Sequence, residues 1–201
     1  MSARTPLIVG PDGRPRCSWV GDDELYRRYH DEEWGEPLRG DQRLFEKIML
    51  EAFQAGLSWI TILRRREGIR AAFDHFDPAV IAGYGDDDIA RLLNDPRIIR
   101  NRLKVAAAIA NARATLSLTS SEPGALDTLM WSFAPPPRTS RLVSSADVPA
   151  ITAESTAMSK ALKARGFRFV GPTTMYALMQ SAGMVDDHLQ GCWRVSTVAE
   201  A

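Results

Sequence analysis

Two short segments near opposite ends of the chain hold most of its chemically distinctive residues. The first, residues 17–59, contains three of the five tryptophans, two of the four tyrosines, one of the two cysteines and one of the three histidines. The second, residues 188–192 (HLQGC), adds the other cysteine and another histidine. Aromatic rings, thiols and carboxylates seldom crowd together unless a site lies nearby. We therefore expect a fold in which these two segments meet.

The cysteines and histidines of these segments form two pairs. Cys17 and His30 belong to the first segment, and His188 and Cys192, four residues apart, belong to the second. Positions i and i+4 of a helix or tight turn project to one side, which suits two ligands of a tetrahedral ion. Two thiolates and two imidazoles form a donor set that zinc favours over magnesium or calcium. The alternatives are inert buried thiols or a disulfide.

Aromatic side chains flank the first pair of predicted ligands. Closely spaced rings form a slot for a planar, preferably cationic, group, whereas the alternative is that they simply fill the core. Glu51 lies at the border of the apolar arc of its predicted helix. It is either an ordinary surface glutamate or a desolvated carboxylate held ready for a donor or a positive charge. The predicted pocket residues are Trp19, Tyr26, Tyr29, Trp34 and Trp59.

Length and composition indicate an ordinary globular protein. A chain of 201 residues fits one domain, and 25 basic against 25 acidic residues give no net field that would attract nucleic acid. No apolar run approaches the roughly 20 residues that span a bilayer. The N-terminus has too short an apolar patch for a signal peptide, and two cysteines suit a reducing compartment, so we expect a cytoplasmic protein.

Capping residues and apolar spacing predict an all-α fold. We expect one helical domain at 17–193, preceded by a flexible extension at 1–16 and followed by a tail at 194–201. The proline-rich stretch from 135 to about 152 predicts a surface loop, and only residues 167–170 (FRFV) resemble a strand. Predicted helices cover about 22–30, 42–55, a segment from 58 onwards, 69–75, 78–83, 87–94, 102–117, 123–133, 153–165 and 172–182.

A basic hairpin is predicted between two of these helices, at residues 95–102. A proline turn and two isoleucines precede a helix start whose free backbone N–H groups could hold a phosphate. Arg100, Arg102 and Lys104 would assist there. Basic helix starts are also common in soluble proteins with no such function.

A family resemblance rests on eight motifs that follow one another over about residues 16–193. They are CSWV, YHDEEWG, LEAFQAGLSWITIL, FDP, IIRNRLK, WSF, SKALKARGFRFVGPTTMYALMQ and DHLQGC. Together they resemble the constitutive 3-methyladenine DNA glycosylase I family, a branch of the helix-hairpin-helix glycosylases. One departure is that Arg97 and Leu103 stand where related glycosylases often carry glycine.

The resemblance implies a role for each group of residues. One structural zinc ion would be held by Cys17, His30, His188 and Cys192. The base pocket would comprise Trp19, Tyr29, Trp34, Glu51 and Trp59, with Tyr26 nearby. Gly56 and Leu57 would enter the duplex where the damaged nucleotide has left. The DNA backbone would be held by Arg97, Arg100, Arg102 and Lys104.

The implied activity is excision of 3-methyladenine from double-stranded DNA by base flipping. The cationic base would stack on the rings, and water would attack C1′ through an oxocarbenium-like state. Glu51, the expected catalytic residue, would first accept hydrogen bonds from the polar edge of the base and would also help to stabilise that positive charge. The enzyme would be monofunctional, leaving an abasic site, and would act as a monomer without an obligate protein partner. The alternative is a zinc-stapled helical module that binds DNA or a nucleobase without catalysis.

Overall fold

The computed structural model describes residues 6–194, and in that range helices account for most of the regular structure. Two short strands, β1 (Leu7–Val9) and β2 (Pro15–Cys17), precede the helices, and 3-10 turns lie at Ser18–Val20, Asp74–Phe76 and Ser145–Asp147. The α-helices are α1 (Glu24–Glu32), α2 (Asp41–Gln54), α3 (Trp59–Ala72), α4 (Pro78–Ala82), α5 (Asp86–Asn94), α6 (Arg102–Thr119), α7 (Ala125–Trp131), α8 (Ala153–Ala164) and α9 (Pro172–Ser181). The predicted all-α class is confirmed.

Side-chain caps fix several helix starts where the sequence predicts them. The carboxylate of Asp23 accepts the N–H of Tyr26 at the start of α1, and that of Asp77 accepts the N–H of Ala79 at α4. Asn101 caps α6 in the same way. Such caps satisfy N–H groups that have no partner within the helix. Because these interactions are local, the sequence alone reveals them.

Two predicted elements are wrong. The separate helix expected at 69–75 does not occur, since α3 continues to Ala72 and is followed by three residues with left-handed backbone at Asp74–Phe76. The strand expected at 167–170 is an irregular segment in which Phe169 also has a positive φ of 57°. The amide of buried Asn111 holds this segment to α6 by bonding the N–H and the carbonyl of Arg168.

The predicted flexible extension is also wrong for residues 7–16, which form an ordered β-hairpin. Leu7 pairs with Cys17 and Val9 with Pro15 in an antiparallel register. Arg16 is buried and bridges the carboxylates of Asp12 and Asp31. The hairpin therefore belongs to the folded body and delivers Cys17 to it. Residues 1–5, and all but the first residue of the predicted tail at 194–201, lie outside the described residues.

Helix α2 runs through the centre of the core. Its residues Phe45, Ile48 and Phe53 are almost completely buried, and it packs against α3, α6, α7 and α9. A helix surrounded in this way holds its side chains in fixed positions, which matters because Glu51 lies on it. Among residues 6–194, no helix combines the length and the apolar character needed to cross a bilayer.

Candidate functional site

Three of the four predicted metal ligands come together at the junction of the chain's two ends. One ligand atom from each of Cys17, His30 and Cys192 lies within 4.8 Å of the others, and all three side chains are buried. Cys17 ends β2, His30 lies on α1, and Cys192 follows a turn near the C-terminus. Both cysteines are free thiols, so the disulfide alternative does not occur.

The pKa values of the two thiols are shifted in opposite directions. A hydrogen bond shared with Cys192, together with burial, raises the pKa of Cys17. The same shared hydrogen bond, with a contribution from His30, lowers the pKa of Cys192 to about 4. The Cys192 sulfur lies 3.5 Å from Nε2 of His30. A thiolate beside an imidazole is the state in which both groups bind a metal.

His188, the fourth predicted ligand, lies beside this cluster although it is outside the set that meets within 4.8 Å. Its ring centre is 5.1 Å from that of His30, and its Nε2 is buried with no hydrogen-bond partner in the described part of the chain. Its Nδ1 contacts a carboxylate oxygen of Asp186 at 2.9 Å, as Nδ1 of His30 contacts Asp31 at 2.8 Å. A carboxylate behind each imidazole is typical of metal-binding histidines. The residues present therefore fit a metal ion.

The carboxylates behind the histidines are themselves held in place. Asp31 accepts hydrogen bonds from Arg16 Nε at 2.9 Å and from the indole N–H of Trp193 at 3.2 Å. Asp186 lies 3.5 Å from Nη2 of Arg141. Residues from the β-hairpin, α1 and the C-terminal segment thus converge on one point.

A cavity of about 280 Å³ opens directly beside this cluster. The five predicted aromatic residues and Glu51 all line it, together with Cys17 of the cluster. Its other walls come from the end of α2, from α9, from the residues between α9 and Cys192, and from the loop before α8. They are Gln54, Ser145, Val148, Ala177, Gln180, Ser181, Asp187 and Leu189.

The aromatic rings of the cavity hold each other mainly edge to face. Trp19 packs edge-on against Tyr26 at 4.9 Å and against Trp34 at 5.1 Å between ring centres. Tyr29 and Trp59 lie 5.4 Å apart with their planes tilted by 44°. Edge-to-face pairs rigidify rings without covering all of their flat faces. The rings thus pack on the core and also form the cavity wall.

Glu51 is buried with an exposed fraction of only 2%, so the alternative of a surface glutamate is wrong. Its Oε1 accepts a hydrogen bond from the Ser181 hydroxyl at 3.0 Å, whereas its Oε2 is buried and has no partner among residues 6–194. Burial raises the pKa of Glu51 to about 7, against the opposing effects of the Lys47 charge and the Ser181 hydrogen bond. The indole N–H of Trp59 is likewise unpartnered. Glu51 and Trp59 both line the cavity, so a ligand bound there can supply the missing donor and acceptor.

Sequence reasoning missed several residues of this site. Asp187 is completely buried and accepts hydrogen bonds from the Tyr176 hydroxyl at 2.7 Å and Gln180 Nε2 at 2.8 Å. Its position immediately before His188 was the available signal. Ser181 offered no signal, because α9 carries other polar residues, among them Thr174 and Gln180. Lys47 was visible only as the neighbour of Glu51 on a helical wheel.

The loop between α2 and α3 lies between Glu51 and Trp59 along the chain. Gly56 has a φ of 79°, a left-handed conformation that favours glycine, and Leu57 is 41% exposed. An exposed leucine on a tight loop close to the cavity is placed where it can contact a ligand larger than the cavity itself.

The basic hairpin joins α5 to α6 over residues 95–101. Arg100 and Arg102 are exposed, and Arg97 is exposed but pairs with Asp95 at 2.7 Å. The structure contradicts the expected phosphate contact of Lys104, which is only 7% exposed. Its ammonium donates to the carbonyls of Phe53 at 2.9 Å and Ala55 at 2.7 Å, at the end of α2. Lys104 therefore holds the cavity's helix in place.

Comparison with known proteins gives consistent matches. The family model described as methyladenine glycosylase matches residues 19–195. DNA-3-methyladenine glycosylase 1 of Escherichia coli (strain K12) is 47% identical over 178 residues, covering 88% of this chain and 95% of that protein.

Solved structures agree in fold. A crystal structure of 3-methyladenine DNA glycosylase I superposes with a TM-score of 0.84 at 47% identity, covering 89% of this chain and 98% of the other. A tyrosine-to-phenylalanine variant of a 3-methyladenine DNA glycosylase I, in complex with 3-methyladenine, superposes with a TM-score of 0.83 at 34% identity, covering 89% and 96%. The family model, the sequence relative and the two folds agree: this chain belongs to the methyladenine glycosylase family.

Proposed function

We propose that the protein is a DNA glycosylase that excises 3-methyladenine by hydrolysing its N-glycosidic bond. The observation that carries the proposal is the buried carboxylate of Glu51, whose Oε2 has no partner, at the wall of a cavity lined by aromatic rings. An unsatisfied buried carboxylate is costly unless a ligand supplies a donor or a positive charge. The sequence relative and the solved homologues carry the name of this activity.

The chemistry of the lesion matches the cavity. Methylation at N3 places a positive charge on the purine, and a cation stacked on tryptophan or tyrosine is stabilised by about 0.5–2 kcal/mol. The amino group of the flipped base can donate to Glu51 Oε2, and the free indole N–H of Trp59 can donate to a ring nitrogen. Normal adenine lacks the charge and stays stacked more firmly in the duplex.

The reaction needs little from the protein beyond extrusion and electrostatics. A cationic base is a good leaving group, so the C1′–N9 bond breaks and its electron pair neutralises the departing ring. The oxygen of a water molecule bonds to C1′ of an oxocarbenium-like sugar and its proton passes to solvent. The negative charge of Glu51 stabilises the flipped cation. The products are free base and an abasic site.

The composition of the cavity supports a monofunctional enzyme. Strand cleavage through a Schiff base needs an amine in reach of C1′. No lysine is among the residues that line the cavity in the described part of the chain. Lys104, the lysine of the hairpin sequence, is engaged at the end of α2.

We propose that the cluster of Cys17, His30 and Cys192, together with the adjacent His188, holds one structural zinc ion; these four residues are called the ligand cluster below. Two thiols and two imidazoles suit zinc, and the unpartnered Nε2 of His188 is the atom that an ion would satisfy. Four protein ligands leave no open position, so the ion supplies stability and not a catalytic water. It would fix the rings of Trp19 and Trp34, which pack against His30 and His188 respectively.

The DNA surface in this proposal consists of the α2–α3 loop and the α5–α6 hairpin. Leu57 would fill the gap left by the flipped nucleotide, with Gly56 permitting close approach. Arg100 and Arg102, with Arg97 at the turn, would hold the backbone as a helix-hairpin-helix element. The protein would act in the cytoplasm as a monomer.

The test is release of free base from methylated duplex DNA by metal-loaded protein, measured chromatographically. We expect release of 3-methyladenine by the native protein and a loss of roughly 10- to 100-fold with Glu51→Gln, since a charge-assisted hydrogen bond is worth about 1.5–3 kcal/mol. Glu46→Gln is the matched control, because Glu46 is an acid of the same helix that pairs with Arg70 instead of lining the cavity. Binding of DNA without any base release would favour the non-catalytic module.

A further inference from the structure

Lys47 is a buried ammonium that the proposed reaction does not use. It lies on α2 one turn before Glu51, with an exposed fraction of 8%. Its Nζ is 5.6 Å from the ring centre of Tyr29 and 5.3 Å from that of Trp59. Both rings line the cavity, whereas Lys47 itself does not. The ammonium thus lies behind the wall that would contact the base.

Burial of this charge is expensive for the fold. Lysine is almost never fully buried unless it is paired, because an ammonium loses its hydration inside a protein. A methionine would fill similar space beside the two rings without that penalty. What the position supplies beyond packing is therefore a positive charge.

Among residues 6–194, two of the three carboxylates near Lys47 are already paired with an arginine, and Glu51 is the one that is not. Glu33 makes two hydrogen bonds with Arg66, and Glu46 pairs with Arg70 at 2.5 Å. Within the described residues, the hydrogen-bond partner of Glu51 is the neutral hydroxyl of Ser181 and not a cation. The charged and titratable groups around the pair are Glu46 on the same helix, Tyr26 and Tyr29 on α1, Glu33 just after it, and Arg66 on α3.

We propose that Lys47 is a positioning residue that favours the ionised form of Glu51 in the base cavity. The consequence for the reaction rests on the proposed function, in which the carboxylate must be negative when a cationic base arrives. Residues i and i+4 lie on the same side of a helix, so the two charges interact through the low-dielectric core. Burial raises the pKa of Glu51 to about 7 even with this charge beside it. Without Lys47 the carboxyl would be largely protonated at neutral pH.

A direct test reads the protonation of Glu51 in the free protein. In protein labelled with ¹³C at the glutamate carboxyls, Glu51→Gln assigns the resonance, and a pH titration gives its midpoint. We expect a midpoint near 7 in the native protein and one higher by at least about one pH unit in Lys47→Met. Lys47→Arg keeps the charge and should stay near the native midpoint. Arg43→Met, which removes an exposed charge from the same helix, should leave it unchanged.

A second readout is the pH profile of base release. In Lys47→Met the acid limb should move to higher pH by the same amount as the carboxyl titration, which loss of packing would not produce. A Glu51 midpoint in Lys47→Met that coincides with the native one overturns the role of Lys47, whether or not base is released. Absence of base release by the native protein would instead overturn the proposed function and leave the titration to decide on Lys47.

Discussion

The ligand cluster and the base cavity share a wall, yet their buried polar atoms are satisfied in different ways. In the cluster, each histidine has one nitrogen on a carboxylate, and the unpartnered Nε2 of His188 lies beside the thiols and His30. In the cavity, Oε2 of Glu51 and the indole N–H of Trp59 have no protein group to meet. A metal ion can satisfy the first region, whereas the second needs a ligand that brings a hydrogen-bond donor and an acceptor.

This difference separates stability from function. Loss of a structural ion leaves several buried metal ligands without a partner where the N-terminal and C-terminal segments meet. The loss should therefore destabilise the protein. The buried carboxylate of Glu51 lowers the stability of the free protein, so removing its charge should stabilise the fold while it impairs recognition. The predictions below follow from this contrast.

The largest effect is expected from Cys192→Ser. A hydroxyl is a poor zinc ligand, so the variant should lose the metal and at least roughly 3 kcal/mol of unfolding free energy, a fraction of what a structural zinc supplies in small domains. Metal content by elemental analysis and denaturant unfolding check this. The control is His75→Asn, which removes the third histidine at an exposed position outside the cluster. Equal stability of metal-loaded and metal-depleted native protein would contradict the structural role.

Glu51→Gln should increase the free energy of unfolding, and the size of this increase should depend on pH. The pKa of Glu51 is raised from its usual 4.5 to about 7 in the folded state, mainly by burial. The folded protein therefore binds more protons than the unfolded chain between these values, and stability falls as pH rises through that window. The shift corresponds to roughly 3 kcal/mol, which Glu51→Gln should recover above pH 7.

The measurement is the free energy of unfolding of both proteins at several pH values between 4 and 8. The difference should grow in favour of Glu51→Gln up to about pH 7 and then level off. The control Glu46→Gln should show no such pH-dependent gain, because Glu46 lies in an ion pair with Arg70 at the helix surface. A difference independent of pH would mean that Glu51 does not titrate in this window.

Lys104→Met tests whether the hairpin lysine belongs to the fold. Its ammonium donates to two carbonyls at the C-terminal end of α2. A positive charge is also stabilised there by the negative end of the helix dipole. Removal should cost about 1–3 kcal/mol of stability at constant metal content. Lys160→Met, at an exposed position on α8, is the comparison in a denaturant titration. A change in DNA affinity without a change in stability would restore the phosphate contact that the sequence predicted.

These tests also show which features a sequence can reveal. The starts of α1, α4 and α6 were predictable because a cap joins residues two or three positions apart. The β-hairpin at 7–17 was not, since its strands have only three residues each and depend on the buried ion pairs of Arg16. The opposite error at 167–170 has the same origin, because Asn111 on α6 decides the path of that segment.

In the site, too, features of residue identity were predictable, whereas features set by distant residues were not. Ligand types and ring clusters were readable because they are properties of residue identity, and the structure places the five rings and three of the four ligands as expected. The burial of Glu51 was undecided by the helical wheel, since it depends on α9 and its Ser181. Lys104 was misread because the end of α2, 49 residues earlier, supplies its partners.

The smallest effect is expected from Arg100→Gln and Arg102→Gln, which lie outside both regions. Each exposed arginine that contacts a phosphate releases about one counterion, so each variant should lower the salt-dependence slope of DNA binding by about 1. Because these residues touch neither the cluster nor the cavity, metal content and the single-turnover rate of base release on saturating DNA should not change. Arg113→Gln is the matched control, because Arg113 lies in the second half of α6, away from the hairpin, and its guanidinium donates to the carbonyl of Ala82 on α4. Equal slopes for all three variants would place the DNA backbone on another face, while the contrast between cluster and cavity would stand.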